Sequence, residues 1–314
     1  MSKYLYFQDF HIFGKNSVHY ISDYFEDCLS MLDEILSLAK EYKVEAIIDG
    51  GDLLHSAEPS YRILDEIADR VEKTKIPIYC LFGNHSQRYH SNEHSKYTGL
   101  AHLFKRSKYF QYLKAFGNEK TNFWIEPYEY SHEVEEDIKE NGLYVDEILG
   151  KDCWKIAIVH AFICPKEFPF ASHVICDDIK TNADIVLVAH YHNEWEKQVG
   201  NTLYKDIGCI GRRSITERDI KPSVLLIDTD KREIKEIFLK SAKSGEEIFD
   251  LSKVEELKEK KNDINAFIKS IEDVQFQEMS IKDTVKFIAK EKKFTKKPVD
   301  LIINKIGELD DQNS

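Results

Sequence analysis

Apolar residues along this chain follow strand-like and helix-like patterns in turn. Short apolar runs typical of strands cover residues 4–7, 44–48, 76–82, 156–159 and 185–188. Apolar residues at helical spacing predict helices over residues 24–42 and 61–72. Later strands are predicted over residues 121–126, 202–207, 222–228 and 233–239. The alternation predicts an α/β protein in which two packed sheets are covered by helices.

A polar cluster stands where each of the first five strands ends. The clusters are Asp9-Phe10-His11, Gly51-Asp52-Leu53-Leu54-His55, Gly83-Asn84-His85, Val159-His160-Ala161 and Ala189-His190-Tyr191-His192. In α/β sheets, ligand sites form at the carboxyl ends of the strands. The five clusters therefore predict one shared site.

The side chains of these clusters suit two divalent metal ions. The candidate ligands are two carboxylates, one amide and four imidazoles: Asp9, Asp52, Asn84, His11, His160, His190 and His192. Mixed oxygen and imidazole ligands suit manganese, iron or zinc. Seven ligands are too many for one tetrahedral zinc ion, but they suit two ions bridged by one carboxylate. Such a pair holds both the attacking and the leaving oxygen of a phosphoryl displacement.

Each cluster alone has a simpler explanation. A single histidine at a strand end is more often a core or surface residue, and Asn84 could cap a helix or form a turn after Gly83. Five such clusters in order are hard to explain in that way. The glycines before Asp52 and Asn84 would permit the sharp turn that aims a ligand back over the strand end.

The clusters resemble the motifs of the calcineurin-like metallophosphoesterase superfamily over residues 3–193, with a weaker likeness continuing through Asp206-Ile207-Gly208. Within that superfamily, Gly51-Asp52-Leu53-Leu54-His55 followed by Pro59-Ser60 resembles the SbcD-type nuclease subunit of a double-strand-break repair complex, including its phage relatives. Phosphoprotein phosphatases usually carry an aspartate where His55 stands. The resemblance implies a four-layer α/β/β/α sandwich.

The resemblance also implies a role for each site residue. Asp9, His11 and His192 would hold one ion, Asn84, His160 and His190 would hold the other, and Asp52 would bridge them. A metal-bound hydroxide would be the nucleophile. His85 would face the scissile phosphate, and His55 would orient or assist it. Three residues depart from the usual family pattern without removing a ligand: Ser86, Ala161 and Ala189.

Composition is consistent with an intracellular enzyme. The 314 residues contain no apolar run of 18, and the first residues lack the apolar core of a signal peptide. The six cysteines are scattered without a C-x-x-C motif, which favours reduced thiols and a cytoplasmic location. The net charge of −12 is unusual for a protein that binds DNA. Half of it comes from residues 131–152, which we expect to form solvated helix away from the substrate.

The chain is predicted to divide into a nuclease domain, 1–240, and a helical tail, 248–314. The composition changes near residues 241–247, and the following residues carry amphipathic helical patterns. This C-terminal helical extension could pack on its own domain or on a partner. In SbcD-type proteins, a helical element in this position docks on the coiled-coil base of an SMC-like ATPase. Lysines of the tail could contact DNA, although a solvated helix face is the commoner explanation.

The sequence thus favours a manganese-dependent DNA exonuclease or endonuclease subunit that serves DNA repair and recombination. The expected cofactor is a pair of Mn²⁺ ions. The expected partners are DNA, an SbcC-like SMC-family ATPase and, in a homodimer, a second copy of the chain, with no membrane. Two alternatives stay open: a stand-alone phosphodiesterase or phosphatase that acts on a small phosphoester, and a metal-binding scaffold without hydrolytic activity.

Overall fold

The computed structural model describes residues 2–87, 92–146, 148–150, 152–167 and 173–250, together with residues 252, 289 and 299. The chain divides into two compact units, Met1–Phe249 and Asp250–Ser314. The helices predicted for the C-terminal extension fall in the second unit. Except for residues 252, 289 and 299, they lie outside the residues that the structure describes. The fold below is that of the first unit.

The first unit alternates strands and helices. Numbered along the chain, the strands are β1 (Lys3–Phe7), β2 (Ala46–Asp49), β3 (Ile78–Cys80), β4 (Phe110–Tyr112), β5 (Phe116–Asn118), β6 (Phe123–Tyr128), β7 (Trp154–His160), β8 (Ile163–Cys164), β9 (Val174–Ile175), β10 (Ile185–Ala189), β11 (Glu194–Val199), β12 (Thr202–Ile207), β13 (Ser223–Asp228) and β14 (Glu233–Phe238). The helices are α1 (Tyr24–Glu41), α2 (Tyr61–Thr74), α3 (Gly99–Arg106), α4 (Val134–Asn141) and α5 (Gly245–Ile248).

Most of these strands form two six-stranded sheets. The first sheet has the order β14-β13-β1-β2-β3-β4, and the second has the order β11-β12-β10-β7-β6-β5. Strands β1 to β4 are mutually parallel, as are β6, β7, β10 and β12, whereas β5, β11, β13 and β14 run antiparallel to their neighbours. The parallel central strands place several carboxyl ends side by side at one edge of each sheet.

The main core lies between the two sheets. Side chains along a strand point alternately to its two faces, and β7 is an example. Ile156 and Ile158 point between the sheets, whereas Ala157 and Val159 point to the outer face. From the first sheet, Tyr6 and Ile48 meet them in the same buried cluster. Every residue of β7 is buried, as expected for a central parallel strand covered on both faces.

Helices cover both outer faces, which confirms the predicted α/β/β/α sandwich of four layers. Helix α1 begins after Asp23, whose side chain accepts hydrogen bonds from the N–H groups of Phe25 and Glu26. The outer layer on the second sheet is thinner. It consists of α4, which buries Val134 and Ile138, and the two-stranded sheet of β8 and β9. The acidic residues of α4 are mostly exposed, so much of the excess negative charge is solvated there.

Residues 241–249, which follow the last strand, pack on the first unit. The N–H of Ile21 donates to the carbonyl oxygen of Ile248 at 2.8 Å, and Tyr20 contacts Phe249 edge to face. Ile248 and Phe249 are both buried. The compact first unit therefore continues to Phe249.

Among the residues that the structure describes, no helix is both long enough and apolar enough to cross a lipid bilayer.

The position of Ile158 gives a test of the inter-sheet core. Ile158→Ala removes a side chain with no exposed surface, and we expect the free energy of unfolding to fall by about 2–5 kcal/mol. The matched control is Ile148→Ala, because Ile148 is 65% exposed and its loss should change stability by less than about 0.5 kcal/mol. Urea unfolding of both variants measures the difference. Equal losses would place the core elsewhere.

Candidate metal centre

All seven candidate ligands lie at the ends of the central strands. Asp9 and His11 follow β1, Asp52 follows β2, and Asn84 follows β3. In the second sheet, His160 is the last residue of β7, and His190 and His192 follow β10. The structure thus brings residues more than 180 positions apart into one site between the carboxyl ends of the two sheets.

Asp9, His11 and His192 form the first set of side chains. The Nε2 atoms of His11 and His192 lie 2.8 Å apart. The Oδ1 atom of Asp9 lies 3.8 Å from the first of these nitrogens and 3.7 Å from the second. Three donor atoms that converge in this way could hold one metal ion.

Asn84, His160 and His190 form the second set. The Oδ1 atom of Asn84 lies 3.2 Å from Nε2 of His160 and 3.0 Å from Nδ1 of His190. Asp52 lies between the sets, because its Oδ2 atom is 3.3 Å from His160 Nε2 and 4.0 Å from His11 Nε2. Its position is that of a carboxylate able to contact ions held by both sets.

The donor atoms fit divalent cations. Asp9 Oδ1 and Asp52 Oδ2 are buried, and neither has a hydrogen-bond partner within the described ranges. A buried carboxylate oxygen without a partner is costly. A cation between these oxygens and the facing imidazole nitrogens would satisfy both kinds of donor at once.

Hydrogen bonds orient the imidazoles toward the shared space. His160 Nδ1 donates to the carbonyl oxygen of Gly50 at 3.0 Å, which leaves Nε2 as the ring nitrogen that faces the shared space. His192 Nδ1 lies 2.8 Å from Oε1 of Glu217 and behaves in the same way. His190 presents Nδ1 instead of Nε2 to the site.

Left-handed backbone conformation is concentrated at the ligands. Five of the seven have positive φ angles: Asp9 (48°), His11 (50°), Asp52 (58°), His190 (101°) and His192 (62°). Such conformations cost free energy in residues with a Cβ atom and persist only where the surroundings hold them. Here the N–H of His11 donates to the Asp52 carbonyl oxygen at 2.8 Å, and the N–H of Asp9 donates to the Gly51 carbonyl oxygen at 3.0 Å.

The two glycines before the ligands have different roles. Gly51 has a φ of +114°, which a residue with a Cβ atom rarely adopts, and a Cβ here would also overlap His160. Gly83 has an ordinary φ of −93°, so the turn does not require glycine. A Cβ at position 83 would instead overlap Asp52 and His160. The expected turn thus explains Gly51, whereas close packing explains Gly83.

His85 and His55 lie beside the first set. Their rings stack at a centroid distance of 4.7 Å, and His85 Nδ1 donates to the carbonyl oxygen of His55 at 2.8 Å. His55 Nδ1 is 3.4 Å from His11 Nδ1. The N–H of His85 also donates to Oδ1 of Asp52 at 3.0 Å. The pair therefore stands next to the candidate ligands and is tied to them.

Charge distribution in the site favours cation binding. Burial opposes ionisation of Asp52, but His160 and His11 outweigh it and hold its pKa below the usual value. Burial likewise opposes protonation of His160, but Asp52 raises its pKa to about 9. Burial and the neighbouring His160 lower the pKa of His190 to about 3, so its imidazole is neutral at physiological pH. Asp52 is thus ready to ligate, whereas His160 must release a proton to a bound cation.

Two acidic residues of the site were not predicted as part of it. Glu217 contacts His192 from a short 3-10 helix, Ile215–Glu217, and its sequence signal is only the capping pattern that begins at Ser214. Asp206 accepts hydrogen bonds from Gln8 Nε2 at 2.7 Å and from the N–H of Gly208 at 2.8 Å. Asp206 thereby anchors the residue before Asp9.

The family model for calcineurin-like phosphoesterases matches residues 9–194, which include all five clusters. The chain belongs to this family. This confirms the family expected from the sequence, and the clusters of aspartate and histidine could hold the metal ions that a metallophosphoesterase fold implies.

Two curated relatives share part of this sequence. Both are the DNA double-strand break repair protein Mre11, one from Methanosarcina mazei and one from Methanosarcina acetivorans. The first is 25% identical over 203 residues, or 62% of this chain and 31% of that protein. The second is 24% identical over 185 residues, or 56% of this chain and 28% of that protein. The match thus spans about a third of the length of these relatives.

Among solved structures, the crystal structure of TT1561 of Thermus thermophilus is similar with a TM-score of 0.45 and 13% identity. The similarity covers 76% of this chain and 99% of that one.

Gly51 gives a test of the site's packing. Gly51→Ala should lower the free energy of unfolding and the affinity for metal ions, because the new methyl group would displace the His160 ring. Gly200→Ala is the matched control. Gly200 also has a positive φ, of +56°, but a Cβ there meets no atom within 4 Å, so only the conformational cost of about 1 kcal/mol should appear. Calorimetric titration with Mn²⁺ measures the affinity of both variants. Equal affinities in Gly51→Ala and Gly200→Ala would contradict the packing argument.

Proposed function

We propose that this protein is the nuclease subunit of an SbcCD-like complex and hydrolyses phosphodiester bonds at DNA ends with Mn²⁺ as its cofactor. The proposal rests on the His55–His85 pair beside two converging sets of ligands. Of the two, His55 stands where phosphoprotein phosphatases usually carry an aspartate, and its imidazole is the feature of the nuclease-like motif. The two curated relatives, whose names state a role in DNA double-strand break repair, support the same substrate.

In this proposal, Asp9, His11 and His192 would hold one ion, and Asn84, His160 and His190 would hold the other. Asp52 would serve both, because its Oδ2 lies 3.3 Å from His160 Nε2 and 4.0 Å from His11 Nε2. When bound, the two ions lower the pKa of a water molecule and stabilise the charge that develops on the phosphoryl oxygens. The protein's own contribution is to hold the donor atoms in register through the backbone hydrogen bonds of the strand ends.

His85 is the proposed catalytic residue. Its Nδ1 donates to the His55 carbonyl oxygen, so Nε2 is the ring nitrogen left to act on the substrate. Protonated at Nε2, the same ring would donate to the leaving oxygen of the phosphodiester. His55 stacks on His85 and prevents the ring from turning away from the ligands.

The acidic composition favours one alternative, a phosphodiesterase that acts on a small phosphoester without DNA. A net charge of −12 weakens attraction to the phosphate backbone. The deciding assay compares end-labelled duplex DNA with bis-p-nitrophenyl phosphate, in Mn²⁺, with and without the SMC-like ATPase. Cleavage of the small ester alone would support the alternative. Absence of hydrolysis from both, with the ATPase still bound, would indicate a non-hydrolytic scaffold.

Asp52→Asn tests the shared carboxylate. We expect hydrolysis to be nearly abolished and the bound Mn²⁺ to fall below two ions per chain, because the amide lacks the negative charge that both ions need. Metal analysis and the DNA cleavage assay measure the two effects. Asp137→Asn on the exposed face of α4 is the control and should change neither. A fully active Asp52→Asn protein with two ions would remove Asp52 from this role.

His85→Ala separates catalysis from metal binding. We expect turnover to fall by about 10²–10⁴ while both ions stay bound, since the ring acts on the substrate and not on a metal. His102→Ala, which removes an exposed histidine of α3, is the matched control. Loss of an ion from the His85→Ala protein would mean that His85 is itself a ligand.

The proposed docking of the C-terminal extension on the ATPase is tested by truncation. Because Ile248 and Phe249 are buried in the first unit, the informative truncation removes residues 251–314 and not 248–314. We expect the shortened protein to fold and bind two ions but to lose association with the SMC-like ATPase in size-exclusion chromatography. A truncated protein that still binds the ATPase would place the docking surface in the first unit.

A further inference from the structure

We propose that Glu217 is a positioning residue that holds His192 in the tautomer and orientation required for metal binding. The inference rests on the proposed assignment of His192 as a ligand, but not on the nature of the substrate. It concerns a residue outside the five clusters, on a loop that follows β12.

Both oxygens of Glu217 have defined partners. Oε1 lies 2.8 Å from Nδ1 of His192. Oε2 accepts hydrogen bonds from the N–H of Arg213 at 2.6 Å and from the N–H of Ser214 at 2.8 Å. The carboxylate is largely buried, with 13% of its side chain exposed. Two backbone donors therefore hold the carboxylate in place while its other oxygen faces the imidazole.

This contact determines which nitrogen of His192 is available. A carboxylate can only accept, so Nδ1 carries a hydrogen and Nε2 is the ring nitrogen left to face a cation. Nε2 is the atom that lies 2.8 Å from His11 Nε2 and 3.7 Å from Asp9 Oδ1. A carboxylate behind a ligating histidine also makes the ring a stronger donor, and loss of such a partner typically costs about 10–100-fold in metal affinity.

A second explanation of the same atoms is a separate cation site. His192, Cys209 and Glu217 lie close enough together to hold an ion of their own. That ion would need Nδ1 of His192 without its hydrogen while Nε2 serves the first set. It would also need Oε1 of Glu217, which already accepts from the same nitrogen. The positioning role uses the hydrogen bonds that are present and requires no such change.

The experiment is a calorimetric Mn²⁺ titration of the full-length chain and its variants. We expect Glu217→Gln to weaken one of two binding events by about 10–100-fold and to leave the other unchanged. Gln cannot satisfy both sides, since its amide offers one acceptor oxygen where the carboxylate has two. His192→Ala should abolish the same event. If His192→Ala retains two normal events, the proposed ligand set fails. If only Glu217→Gln does, the ligand set stands and the positioning role fails.

Two control variants separate positioning from other roles. Ser214→Ala removes the reciprocal cap of the Ile215–Glu217 helix but leaves the carboxylate, so metal affinity should not change. Equal loss in Ser214→Ala and Glu217→Gln would reduce Glu217 to a structural cap. Cys209→Ser should also bind Mn²⁺ normally. With Cd²⁺, the unchanged protein and Cys209→Ser should show the same thiolate absorbance, because we expect no Cd²⁺ at the cluster of His192, Cys209 and Glu217. A third, thiol-dependent Cd²⁺ site that Cys209→Ser and Glu217→Gln both abolish would overturn the proposal in favour of the separate cation site.

The state of the ring provides a readout that a purely structural role would not change. In the protein loaded with diamagnetic Zn²⁺, ¹⁵N chemical shifts of His192 should report a hydrogen on Nδ1 and none on Nε2, and in Glu217→Gln the Nδ1 shift should change because the hydrogen bond to the carboxylate is lost. Unchanged shifts in the variant would contradict the proposal.

Discussion

The burial of two aspartates at the ends of parallel strands is the constraint on which the rest of this structure depends. Asp9 and Asp52 are at most 1% exposed, and one oxygen of each has no hydrogen-bond partner in the described part of the chain. Burial raises the pKa of Asp9, and positive charge supplied at that point would favour its ionised form. The imidazoles of the second sheet face those oxygens, and a pair of divalent ions would complete the balance.

Each aspartate also uses its other oxygen to join separate parts of the site. Asp9 Oδ2 accepts from the N–H of His190, and Asp52 Oδ1 accepts from the N–H of His85. One oxygen of each carboxylate is therefore free to bind a metal ion. The other accepts a backbone hydrogen bond from a loop that carries another site residue. The inter-sheet core fixes the positions of the strands, and these hydrogen bonds fix the positions of the site side chains relative to the strands.

Much of this arrangement was predictable from the sequence, because local patterns carry it. The apolar face of α1 has a clear helical period, the apolar run of β7 is typical of a strand buried on both faces, and the polar clusters follow the strands directly. The three-residue strands β4 and β5 were not predicted, since so short a run shows no period. Glu217 was missed for a different reason. It reaches His192 only through the tertiary fold, and its sequence neighbours resemble any capped turn. The need for glycine at position 83 likewise depends on Asp52 and His160, which approach it from elsewhere in the chain.

The left-handed backbone at five ligands has a consequence for how the site can be dissected by mutagenesis. Aspartate and histidine, like asparagine, are among the few residues with a Cβ that adopt this conformation with some frequency. The residue type therefore meets two requirements at each of these five ligands: it supplies a donor atom, and it tolerates a positive φ angle. The five are Asp9, His11, Asp52, His190 and His192. Alanine at these positions alters both, and the measured effect mixes two free energies. Asn84 and His160 have no positive φ angle, so alanine there leaves the backbone preference out of the measured effect.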